Sequence, residues 1–195
     1  MKIKSNAAPI ELSSPFYKIN EDFCFDFEKF VASKNGHVKG NYNAWSYFIQ
    51  GKILAPKVWH LKYKKAIYSS TGNLILSSKY QNLLTLAEWS TPMAGSHNSE
   101  FSIFKKEAIG IIGRLIQNAK PFKSLRKYVV INSKNNPTLI ISLYPVLEPL
   151  FQTGEIYSII LKKDVLTISL RTDQHHFEVF ENLLKAGAEE QANPT

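Results

Sequence analysis

His60, Lys62 and Lys64 alternate along one short run, and Lys52, Lys57 and Lys79 lie close to them in sequence. Alternate residues of a strand share a face, so the first three would project together. Cations presented in this way suit phosphates or anionic headgroups. Lysine is a flexible point charge, whereas base-specific reading leans on the bidentate fork of arginine. The chemistry expected of these six residues is therefore nonspecific anion binding.

The charge distribution points the same way. The chain of 195 residues carries a net charge of +8. Residues 29–134 hold seventeen basic side chains against three acidic ones, and residues 29–87 hold nine lysines with no Asp or Glu. Such asymmetry implies an anionic partner, whether a phosphate-rich polymer, an anionic lipid or an acidic protein. The same lysine excess can also be compositional.

Catalytic constellations are thinner. His175 and His176 follow Asp173 and precede Glu178. On a helix starting near Thr172 or Asp173, Asp173–His176 and His175–Glu178 would be i,i+3 pairs. Adjacent histidines diverge by about 100° on a helix and do not share an ion, so no metal site is expected. His97 sits in the polar stretch 90–100 with Ser96, Ser99 and Glu100. A triad needs distant segments in fixed geometry, so this stretch carries an enzyme reading only as an alternative. Cys24 lies between two phenylalanines with no adjacent base to lower its pKa, and reads as core filler. Glu88 beside Trp89 reads as a surface acid, with partial burial as the catalytic alternative. No cofactor fingerprint occurs, and the chain leans away from an enzyme.

The string from Ile109 to Ile116 contains Gly110 and Gly113 in Gly-x-x-Gly spacing. It resembles the signature of KH-type nucleic-acid-binding domains, in which that loop clamps the backbone of four nucleotides. The middle positions here are Ile111 and Ile112, which equally suit the buried side of a helix. The resemblance implies an RNA- or DNA-binding alternative over 105–127. Its residues would be Lys105, Lys106, Gly110, Gly113, Arg114, Lys120, Lys123, Arg126 and Lys127.

These residues need elements to position them. Ile156–Lys162 and 165–171 are apolar runs about a Lys163-Asp164 loop. A two-residue hairpin there sets Leu161 against Leu166, Ile159 against Ile168 and Tyr157 against Leu170. Phe177, Phe180, Leu183 and Leu184 then predict a helix stopping at Gly187. Asn20 would cap a helix over 21–33 with Phe23, Phe27, Phe30 and Val31 on one side. Residues 37–51 fit either a strand or a short helix. A strand over 57–68 puts Trp59, Leu61 and Tyr63 on the face opposite the lysines. A second hairpin turns at 70–73, and further strands are expected at 101–104, 128–132 and 138–143. A helix over 109–119 would end at Pro121, and a short one over 146–152 would start at Pro145.

The order of elements over 128–177 resembles the C-terminal part of an uncharacterised bacterial family, some members of which are membrane-tethered. The resemblance implies patterning and no site residues.

The expected fold class is α+β, a mainly antiparallel sheet with three or four helices packed on it. A loose segment over 1–14, one domain over 15–187 and a frayed tail over 188–195 are expected. No run of apolar residues approaches the ~20 that span a bilayer, and one cysteine forms no internal disulfide. A cytoplasmic, non-enzymatic binding or scaffold module is the reading these features favour.

Overall fold

A computed structural model describes residues 3–65, 86–93, 100–109, 120–122, 125–134 and 137–192. The fold class is α+β, with mainly antiparallel strands and helices packed on them. The sequence leads to one domain over 15–187; the chain divides into two compact units, residues 1–89 with 171–175, and residues 90–170 with 176–195.

In the first unit the strands run β1 (Lys4–Ser5), β2 (His37–Tyr42), β3 (Tyr47–Ile53) and β4 (Trp59–Lys65) in spatial order, with the start of β5 (Leu86–Pro92) beside β4. Strand β1 is parallel to β2, whereas β2–β3 and β3–β4 are antiparallel. The loose segment expected over 1–14 is thus corrected at residues 4–5, which pair with Asn41 and Tyr42, and at Pro9–Glu11, a 3-10 turn. The undecided stretch 37–51 is two strands of a hairpin. Its turn is held by Asn43, whose Oδ1 accepts from the backbone amides of Trp45 and Ser46.

Helix α1 (Pro15–Ser33) begins five residues before Asn20. Ser14 Oγ accepts from the Phe16 amide, and Pro15 takes the first position, where its missing N–H costs nothing. Asn20 lies inside the helix and is buried. Its amide donates to the carbonyls of Asn43 and Ala44, tying the helix to the β2–β3 turn. Cys24, Phe27 and Val31 form the buried stripe. Phe27 and Val31 meet β3 at Gly51, where an added Cβ would stand 2.8 Å from both the Phe27 ring and a Val31 methyl.

The core beneath β4 is Trp59, Leu61 and Tyr63, all buried on the side predicted. Tyr63 Oη donates to the His175 carbonyl and accepts from Trp89 Nε1, so this large ring is buried with its polar end satisfied.

In the second unit the strand order is β10 (Val165–Leu170), β9 (Ile156–Lys162), β6 (Glu100–Lys105), β8 (Leu125–Lys134) and β7 (Lys120–Phe122). The hairpin register is as predicted from Val165–Lys162 to Ser169–Ser158. A bulge then sets Leu170 against Ile156 in place of Tyr157. Lys163 and Asp164 both have positive φ, +50° and +57°, which the tight primed turn demands.

Residues 138–143 are helix rather than strand. They open α3 (Pro137–Thr153), after the one-turn α2 (Lys106–Ile109). The misleading feature is the aliphatic run at 139–141; the spacing Leu139, Leu143, Leu147, Leu150 is helical, and Pro137 is the start signal. Pro145 therefore lies inside this helix and opens no helix of its own. Phe151 stacks edge-on against the Tyr128 ring, joining α3 to β8. Pro121 belongs to β7, and the helix expected over 109–119 lies, apart from Ile109, outside the described residues.

Helix α4 (Phe177–Ala192) starts later than Thr172 or Asp173. Thr172 Oγ1 accepts from the Gln174 amide in a local turn, and the first helical carbonyl is that of His176. The helix passes through Gly187 and covers residues 188–192, where a frayed tail was the expectation. Gly187 stops nothing because the following Ala-Glu-Glu-Gln-Ala run is itself helix-forming.

Candidate anion-binding face

Helix α1 covers one face of β2–β4 and leaves the other exposed. Burial alternates along each strand: Tyr47, Ile49, Gly51 and Ile53 are buried on β3, and Trp59, Leu61 and Tyr63 on β4. The intervening side chains face the other way. Register then places them in rows, because directly paired residues point to the same side. One row is His37, Lys52 and His60; the next is Lys39, Gln50 and Lys62; the third is Asn41, Phe48 and Lys64. Lys4 of β1 pairs with Asn41 and extends the third row. Neighbours within a row are ~4.8 Å apart and successive rows ~7 Å apart by strand geometry.

This surface gathers Lys4, Lys39, Lys52, Lys62 and Lys64, with His37 and His60. Among the described residues the carboxylate ion-paired to it is Glu88 of β5, whose Oε1 accepts from Lys62 Nζ at 2.7 Å. Both side chains of that pair are well exposed, 46% and 38%, so its contribution to stability is small. Its effect is to hold one ammonium and offset one charge. No described acid pairs with Lys39, Lys52 or Lys64.

The His60 imidazole is held below its usual pKa. Partial burial is the first cause, and the Lys52 and Lys62 ammonium groups add to it. The cationic form is disfavoured by lost hydration first, and then by the positive charges that crowd it. An anion bound here would relieve that crowding.

Of the six residues expected to bind anions, Lys52, His60, Lys62 and Lys64 are brought together. Lys57 is half-buried ahead of β4 and lies outside the rows. Lys79 lies outside the described residues. The sequence reading missed Lys4, His37, Lys39, Asn41, Phe48 and Gln50. The signal for most of them was available as period-two alternation in 37–41 and 48–52.

The other candidates are dispersed. Of the 105–127 set, Gly110, Gly113, Arg114 and Lys123 lie outside the described residues. Lys106 is exposed on the one-turn helix, and Lys105 pairs with Glu107 at 3.3 Å. Lys120 belongs to β7, at the edge of the strand order. Arg126 and Lys127 are exposed but adjacent on β8, and adjacent strand residues point to opposite faces.

His97 also lies outside the described residues. Ser90, Thr91 and Pro92 belong to β5 rather than to a loop, and Glu100 begins β6. Cys24 is buried, and burial pushes its thiol up to about 12, far from thiolate chemistry at neutral pH.

His175 and His176 precede helix α4, so the i,i+3 pairs expected with Asp173 and Glu178 do not form on it. In the first unit, His175 lies flat on the Phe23 ring, centroids 3.7 Å apart, with Nε2 2.8 Å from the Phe23 carbonyl. In the second, His176 Nε2 lies 3.0 Å from Glu155 Oε1. Among the described residues no three His, Cys, Asp or Glu side chains gather as metal ligands, and no helix is long and apolar enough to cross a membrane.

No family model matches the chain, and neither do curated proteins or solved structures.

Proposed function

We propose that this protein is a non-enzymatic binding module whose first unit presents the exposed face of β2–β4 to an anionic partner. One observation carries the reading. Five lysines and two histidines share a face four strands wide, from β1 to β4, and Glu88 is the acid ion-paired there among the described residues. The opposite face holds the core, so these cations are not there to close a buried network. The setting this reading takes is the cytoplasm, where phosphate-rich polymers meet proteins with reduced thiols.

The test is a binding titration with heparin as the polyanion probe, repeated at several salt concentrations. Neutralising about five charges of a flexible polyanion predicts a log–log salt slope of roughly −3.5. Absence of binding at low salt, or affinity that ignores salt, contradicts the reading.

A pH dependence follows from His60. Its pKa in the free protein is depressed by burial, Lys52 and Lys62, and a bound anion pushes it back up. Binding therefore takes up a proton, and affinity rises as pH falls through the pKa of the bound state. Between pH 7.5 and 5.5 the expected gain is about three- to ten-fold. The variant His60→Gln should lose most of that gain while keeping its affinity at pH 7.5.

A further inference from the structure

We infer that the anion taken by this face is single-stranded nucleic acid, the bases stacking on Phe48 while the lysines hold the phosphates. This rests on the binding reading above and narrows it to one ligand class.

Phe48 is the observation that a general polyanion site leaves unexplained. It is 44% exposed on a strand whose alternate residues are buried. Its ring lies on the lysine face, directly paired with Lys64 on one side and Asn41 on the other, with Lys4 beyond Asn41. Among the described residues no other ring stacks on it. A phenylalanine so placed offers a flat apolar ring within a row of polar side chains, the kind of surface on which a base stacks.

The neighbouring groups fit the same ligand. Gln50 follows two residues along β3 and Asn41 sits beside the ring, and each amide both donates and accepts, as base edges require. Lysines border both amides: Lys64 and Lys4 in the row of Phe48, Lys39 and Lys62 in the row of Gln50. Aromatic rings that stack bases beside cations that follow the backbone are how single strands are bound without sequence preference. A duplex keeps its bases stacked internally and would leave the ring unused. A lipid surface would have to bring the flanking amides towards the acyl region with the ring, at a desolvation cost.

The experiment measures anisotropy of a labelled twelve-nucleotide oligo(dT), an abasic strand of equal length and heparin, with pelleting on phosphatidylglycerol vesicles alongside. The expected result is tighter binding of oligo(dT) than of the abasic strand at equal charge. Phe48→Ala should weaken oligo(dT) by roughly ten-fold or more and leave heparin within about two-fold, and Phe48→Trp should restore it. Equal affinity for oligo(dT) and the abasic strand overturns the inference, and that comparison uses the unaltered protein, so it stands even if a variant misfolds. Loss of vesicle binding in Phe48→Ala without a change for oligo(dT) also overturns it, in favour of a lipid surface. Heparin binding without oligo(dT) binding removes this inference and leaves the general reading intact. Binding to none of the probes removes both.

Discussion

Reversing two charges, Lys52→Glu with Lys64→Glu, is expected to lower affinity for heparin about 100-fold at low salt. The two residues lie in the outer rows of the exposed face, and no described acid pairs with either. Each reversal removes an attraction and adds a repulsion, and together they flatten the salt slope by roughly two. Both side chains are exposed, so thermal stability should move by no more than about 0.5 kcal/mol. The matched control, Arg126→Glu with Lys127→Glu, applies the same charge change to β8 in the second unit. It should leave affinity nearly unchanged, because those residues point to opposite sides of their strand. If the control abolished binding and the first pair did not, the interface would belong to the second unit.

The second large effect concerns the backbone that carries the face. Gly40 has φ +149°, a conformation side chains rarely adopt. A Cβ there would stand 2.3 Å from the Phe48 carbonyl oxygen and 2.7 Å from the Ile49 Cα. Both are backbone atoms of β3, so no rotamer change relieves the clash. Gly40→Ala should therefore destabilise by about 3 kcal/mol, lowering Tm by roughly 6–12 °C. It should also weaken anion binding, since separating the β2–β3 pair would disperse Lys39 and Lys52. A scanning calorimetry trace within about 1 °C of the parent protein would show that the strand pair tolerates the Cβ.

These two cases show what the sequence could and could not reveal. The alternation Trp59-His60-Leu61-Lys62-Tyr63-Lys64 assigned a core face and a cationic face to β4 directly, because period two is a strong signal when every second residue is aromatic or aliphatic. The hairpin at 156–170 was legible for the same reason, except for its bulge, which leaves no mark in a run of aliphatic and hydroxyl residues. Strands β2 and β3 were ambiguous because Gly40 and Gly51 interrupt their pattern. Gly51 makes room for Phe27 and Val31, and Gly40 for the neighbouring strand, requirements invisible until the partners are in place. That ambiguity hid His37, Lys39, Asn41, Phe48 and Gln50, half of the ten residues in the candidate face. Helix α3 was hidden by the aliphatic run at its start and by Pro145 and Pro149 within it, residues that ordinarily end a helix. Asn20 looked like a cap, and is instead a buried side chain bonded to a turn twenty-three residues away.

Amide chemical-shift mapping of the isotope-labelled protein, titrated with a short heparin oligosaccharide, tests the central claim most directly. Progressive shifts should appear at Lys39, Phe48, Gln50, Lys52, His60, Lys62 and Lys64 and fade as salt is raised. Shifts confined to Arg126, Lys127 and their neighbours, or spread evenly over both units, would contradict the assignment of this face.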